Sequence, residues 1–134
     1  MVELTTELRL LSYSGLLCLL LWVPYILATI QVRGVGGALG YPSGTAADLP
    51  AWAQRCNRAH LNLVENLGPF AVFVLVAHVL GLSNELTVLG AQLFFWSRVV
   101  QSVTFWVGIP VVRSLAFTAG LVGNLMVFWA IITA

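Results

Sequence analysis

The chain has 134 residues, 60% of them hydrophobic and only 8% charged, with a mean hydropathy of +0.96 and a formal net charge of +1. A soluble domain carries roughly 25% charged residues, so this composition cannot cover itself with water-facing groups and points to the membrane class. All six basic residues are arginine and form no patch suited to nucleic acid, and Cys18 and Cys56 match no metal-ligand spacing.

The first helix is expected over about residues 8–32. Spanning a bilayer takes ~20 apolar residues, and Leu10 to Ile30 contains no charge. Glu3 and Glu7 precede Arg9, whereas a secretory signal needs a positive start and a shorter apolar core, so the segment is read as retained. Pro24 is expected to kink it. Gly34, Gly36, Gly37, Gly40, Pro42, Ser43 and Gly44 then mark a loop, and Asp48 is placed as the N-cap of the next helix, with Pro50 in its first turn.

The second helix, about 50–80, is polar in its first half through Arg55, Asn57, Arg58, His60, Asn62 and Glu65, then apolar apart from His78. A turn over 81–85 leads to the third helix, about 86–107, which carries Arg98 and Gln101. Gly108, Ile109 and Pro110 turn the chain into the fourth helix, about 111–134, which is largely apolar after Arg113 except at Thr118 and Asn124. Short connections make antiparallel neighbours, so the expected fold is an all-α, up-down, four-helix membrane bundle forming one domain over 1–134. Arg33, Arg55, Arg58 and Arg113 gather at one end and only Arg9 at the other. The positive-inside rule then puts the 1–2 and 3–4 connections in the cytoplasm and both termini outside.

Arg55, Arg58, Asn62, Glu65 and Pro69 recur every three or four residues and so lie along one stripe of the second helix; Arg98, Gln101, Ser102 and Phe105 do the same on the third. A charge facing lipid costs several kcal/mol, so these side chains should face one another, another subunit or a wet cavity, with Glu65 paired to Arg98 or Arg58. Arginines in a cleft suit carboxylates, which they bind two-pronged, and Glu65 suits an ammonium. The complementary ligand is a small zwitterion or peptide with several carboxylates. Polar residues also tie membrane helices together, and Asn124 reads that way, with His60 as packing or interfacial. Trp52, Trp106 and His78 fit the bilayer boundaries, and Trp96 and Trp129 fit packing.

The run Arg55-Cys56-Asn57-Arg58-Ala59-His60-Leu61-Asn62-Leu63-Val64-Glu65-Asn66 resembles the signature of the MAPEG family, the membrane-associated proteins in eicosanoid and glutathione metabolism, which include microsomal glutathione transferases. Ile30-Gln31-Val32-Arg33, Arg98, and Pro110 followed by Arg113-Ser114 extend the likeness along the chain, which resembles a bacterial-type member. The resemblance implies a homotrimer in membrane lipid, with glutathione as cosubstrate bound between subunits near the cytoplasmic side. It implies a transferase or peroxidase acting on a lipophilic small-molecule electrophile, and no metal. By that likeness Arg33, Arg58, Asn62, Glu65, Arg98, Gln101 and Phe105 contact glutathione, and Arg113 with Ser114 serves the thiol. Arg58, Asn62 and Glu65 are assigned to one chain and Arg33, Arg98 and Arg113 to partners.

The chain departs from the family pattern at three positions. Leu61 stands where some members have another arginine, Gln101 where histidine is frequent, and Phe105 where tyrosine is usual. Phe105 has no hydroxyl to offer a thiolate, so a protein that keeps the fold and binds without turnover is the alternative reading. The lack of targeting signals and the compact loops fit a bacterial inner membrane.

Overall fold

The computed structural model describes residues 2–40 and 48–134. Four helices follow in order: α1 (Thr6–Leu39), α2 (Ala51–Val79), α3 (Glu85–Val107) and α4 (Pro110–Ile132). The last three agree with the sequence expectation to within two residues at each end. α1 begins two residues earlier than expected and runs seven residues further.

α1 starts earlier because Thr5 caps it, its hydroxyl accepting from the Leu8 N–H at 3.3 Å. The helix continues through Pro24 and leaves helical geometry at Gly34, at φ 71°, ψ 172°. Only glycine takes that backbone cheaply. Because Gly34 absorbs the whole turn, Val35 to Leu39 resume helix where the glycine cluster implied a loop. Pro42, Ser43 and Gly44 of that expected loop lie outside the described residues. Asp48 is not the N-cap of α2; Pro50 occupies that position with no side-chain cap, and Asp48 is drawn instead to Arg33.

α3 is sharply bounded. The Asn84 side chain accepts from the N–H groups of Leu86 and Thr87, and the Thr87 hydroxyl accepts from the Asn84 N–H, a complete capping box. At the other end Gly108, at φ 82°, closes the helix with its N–H on the Thr104 carbonyl at 2.8 Å. Pro110 then opens α4 at a position that needs no N–H donor. This tight turn lays α4 antiparallel against α3, and the two form the closest-packed pair in the bundle. Small residues permit the approach: a Cβ on Gly123 would come within 2.5 Å of the Gly90 carbonyl oxygen and 2.8 Å of the Phe94 nitrogen. α1 packs on α2 and α3, and among the described residues it makes no contact with α4.

The apolar core joins Leu10 and Leu21 of α1, Leu63, Phe70 and Val74 of α2, and Ala91 and Phe94 of α3. Phe70 and Phe94 stack with centroids 4.0 Å apart. Elsewhere the usual soluble pattern is inverted. Ser14, Thr87, Arg98, Gln101, Ser102 and Asn124 are buried, while Leu19, Val72, Leu75, Leu89, Leu115 and Leu125 are more than two-fifths exposed. Trp96 and Trp129, expected as packing residues, also lie on this outer surface. Such an exterior is stable against hydrocarbon, not water. α1, α2 and α4 are each long and apolar enough to cross a membrane. α3 holds the polar interior, and its 23 residues span about 34 Å, enough for a ~30 Å hydrocarbon core.

Candidate functional site

Beside the α3–α4 turn, α2, α3 and α4 diverge around a cleft of about 490 Å³. α2 contributes Arg58, Asn62 and Glu65 from its predicted stripe, along with Leu61. α3 contributes Gln101 and Phe105, and α4 contributes Arg113, Ser114, Phe117 and Thr118. Seven of the nine residues expected at the site from the sequence therefore meet in one place. Phe117 and Thr118 were not anticipated, although they stand four residues after Arg113 and Ser114 and so share their helical face. A smaller space of about 160 Å³ continues from Arg58 and Arg113 toward Arg55 and Gly108.

The two arginines and the glutamate are exposed or half-exposed in the cleft, and among the described residues none of the three forms an ion pair. The expected pairing of Glu65 with Arg98 or Arg58 is not made. Arg113 instead lies over the Phe105 ring, with its guanidinium carbon 5.3 Å from the centroid. Ser114 donates to the Pro110 carbonyl at 3.1 Å, the usual back-bond of a helical serine, which leaves its oxygen free to accept.

Arg98 is the deepest charge in the molecule, at 1% exposure, and stands behind the cleft wall, not on it. Its guanidinium carbon lies 5.1 Å from the Phe94 centroid and 5.2 Å from that of Phe117. Gly120 makes room for it, since a Cβ there would fall 3.0 Å from Nη2 and 3.1 Å from Nε. Held at this level, Arg98 meets Asn62, one turn short of Glu65. Nη1 donates to Asn62 Oδ1 at 3.0 Å and to Gln101 Oε1, while Nε and Nη2 have no partner among the described residues. Leaving donors of a buried charge unmatched is costly and calls for a reason.

Arg33 does not line the cleft. It makes a two-pronged ion pair with Asp48, Nε to Oδ2 at 2.7 Å and Nη2 to Oδ1 at 2.6 Å. The guanidinium holds the Asp48 carboxyl below the usual carboxylate range, chiefly by hydrogen bonding to it. Arg55 is tied down as well, donating to the Trp106 carbonyl at 3.2 Å near the end of α3. His60 and Asn57 face away from the cleft and line an apolar groove between α1 and α2 with Cys18, Trp22 and Tyr25. Among the described residues no cluster of His, Cys, Asp or Glu could hold a metal ion.

Within one chain, Arg98 already bonds Asn62, and Arg113 already faces Arg58 across the cleft, because the Gly108 turn folds α4 back beside α2 and α3.

Comparison with known proteins gives one match. The model of the MAPEG family fits residues 10–133, nearly the whole chain. No curated protein and no solved structure matches. The chain belongs to the MAPEG family, and with its apolar helices it is an integral membrane protein.

Proposed function

We propose that this member of the MAPEG family binds glutathione in the α2–α3–α4 cleft and uses its thiol on lipophilic electrophiles that enter from the bilayer, as a transferase or peroxidase. One observation carries this reading: Arg58, Arg113 and Glu65 face a common cleft and none is neutralised by an ion pair among the described residues. Two unpaired cations and one unpaired anion complement a peptide with two carboxylates and one ammonium. The apolar part of the lining, Leu61, Phe105 and Phe117, suits the second substrate. Holding both reactants there removes the entropic cost of their encounter, and Arg113 favours the thiolate over the thiol.

Arg33, Arg55, Arg58 and Arg113 lie toward one end of the bundle, which supports a cytoplasmic cleft and external termini in a bacterial inner membrane. A homotrimer would cover part of the apolar exterior and could add residues of a neighbouring copy to the open side of the cleft.

Phe105 favours a second reading, in which binding survives without turnover. The ring beneath Arg113 has no hydroxyl, so only Arg113 and Ser114 remain to stabilise a thiolate. Detergent-purified protein separates the two. We expect glutathione binding at or below millimolar concentration and measurable conjugation of a chlorinated aromatic electrophile or reduction of an organic peroxide. Binding without either activity would establish the second reading, and absence of binding would refute the site.

A further inference from the structure

We propose that Arg98 is a positioning residue that never touches the ligand, and that it turns Asn62 and Gln101 into a pair of fixed N–H donors forming a carboxylate subsite in the cleft. The inference rests on the glutathione reading and specifies how one end of that ligand is recognised. A guanidinium can only donate hydrogen bonds. Each amide that Arg98 touches must therefore present its oxygen to it, whichever way the amide would otherwise turn, and Nη1 holds both Asn62 Oδ1 and Gln101 Oε1. The two NH₂ groups are thereby aimed away from Arg98. Neither donates to any group among the described residues, neither is an unmatched buried atom, and both residues line the cleft. Only an acceptor in the cleft can use them.

The charge behind them strengthens the same preference. Arg98 is buried between Phe94 and Phe117 with no carboxylate partner among the described residues, and two of its nitrogens are unmatched. Its positive field reaches the cleft through the two amides, which it polarises toward stronger donation. An anionic acceptor gains from this and a neutral one gains less. Gln101 presents a donor to the cleft because Arg98 fixes its orientation.

The test uses Gln101→Glu and Asn62→Asp, alone and combined with Arg98→Met, in the full-length detergent-purified protein. A carboxylate at either position still accepts from Arg98 but has no N–H for the cleft. We expect each single variant to melt at or above the temperature of the unsubstituted protein, since Arg98 gains a counter-ion, and each to melt lower than Arg98→Met alone once that change is added. Glutathione should bind roughly tenfold more weakly to Gln101→Glu, the loss expected for one hydrogen bond to a charged group. Glutathione diethyl ester should bind the two forms alike. A melting cycle without coupling to Arg98 would overturn the proposal, as would equal glutathione affinity in Gln101→Glu and the unsubstituted protein, which would leave the glutathione reading intact. Absence of glutathione binding to the unsubstituted protein would overturn that reading instead, and the cycle alone would then judge the orientation.

Discussion

The bundle buries two isolated charges, one near the start of α1 and one near the middle of α3, and treats them differently. Near the start of α1, Glu7 is 3% exposed, and its carboxylate accepts from the hydroxyls of Ser83 and Thr87. These partners sit at the capped N-terminus of α3, where the helix dipole favours an anion. At the cleft, Arg98 is buried just as completely but keeps two nitrogens without a partner, beside Arg58, Glu65 and Arg113, which form no ion pair among the described residues. Burial of a charge therefore does not distinguish structure from function in this bundle. Completeness of its hydrogen bonding differs between the two: Glu7 is satisfied by neighbouring side chains, and Arg98 keeps donors unmatched among the described residues.

The largest expected effect strikes both sites at once. Gly123→Ala would drive a methyl against the α3 backbone at Gly90 and Phe94, with cost about 3 kcal/mol of stability, and would displace the Arg98 seat, so the melting temperature and glutathione affinity should fall together. Glu7→Ala should cost about 2 kcal/mol of stability by stranding the Ser83 and Thr87 hydroxyls, yet leave glutathione affinity unchanged. If that affinity dropped as well, the contrast between the two sites would fail.

Arg58→Ala and Glu65→Ala should do the reverse. Each should weaken binding by about 1.5 kcal/mol with little change in melting temperature, whereas His78→Ala, far along α2, should alter neither. Equal affinities across these three variants would contradict the face assigned to α2. Phe105→Tyr should raise the conjugation rate about tenfold by restoring a donor beside Arg113, and an unchanged rate would show that the hydroxyl is not limiting.

The smallest effect belongs to the exposed Arg33–Asp48 pair. Because Arg33 depresses the Asp48 pKa in the folded state, any stabilisation is present above the unfolded carboxylate value and is lost as pH falls through the lower folded one. Asp48→Asn should therefore melt slightly below the parent at neutral pH, and the difference should disappear well below about pH 4. A difference that grew in acid would refute the assignment.

Much of the site could be read from periodicity. Arg58, Asn62 and Glu65 had to share a face, and so did Arg98, Gln101 and Phe105, because a helix fixes the angular position of each side chain whatever surrounds it. Phe117 and Thr118 were readable by the same rule from Arg113 and Ser114. The Glu65 pairing failed for a different reason. Sequence spacing gives approximate depth, but the level at which Arg98 meets α2 depends on the Gly120 gap and the two phenylalanine rings that hold it, and these bring it to Asn62. Asp48 was misread because a local cap and a distant arginine compete for one carboxylate, and only the fold brings Arg33 within reach.

By itself the sequence determined the membrane class, the four helices, their up-down order and the polar stripes, since composition, apolar run length and helical spacing are local properties of the chain. Tertiary structure alone decided that Arg98 stands behind the cleft and not in it, that Glu65 forms no ion pair among the described residues, and that Arg113 and Arg58 line one cleft. Those outcomes depend on which atoms of separate helices reach the same point, and a close approach such as Gly90 to Gly123 sets that distance where periodicity cannot.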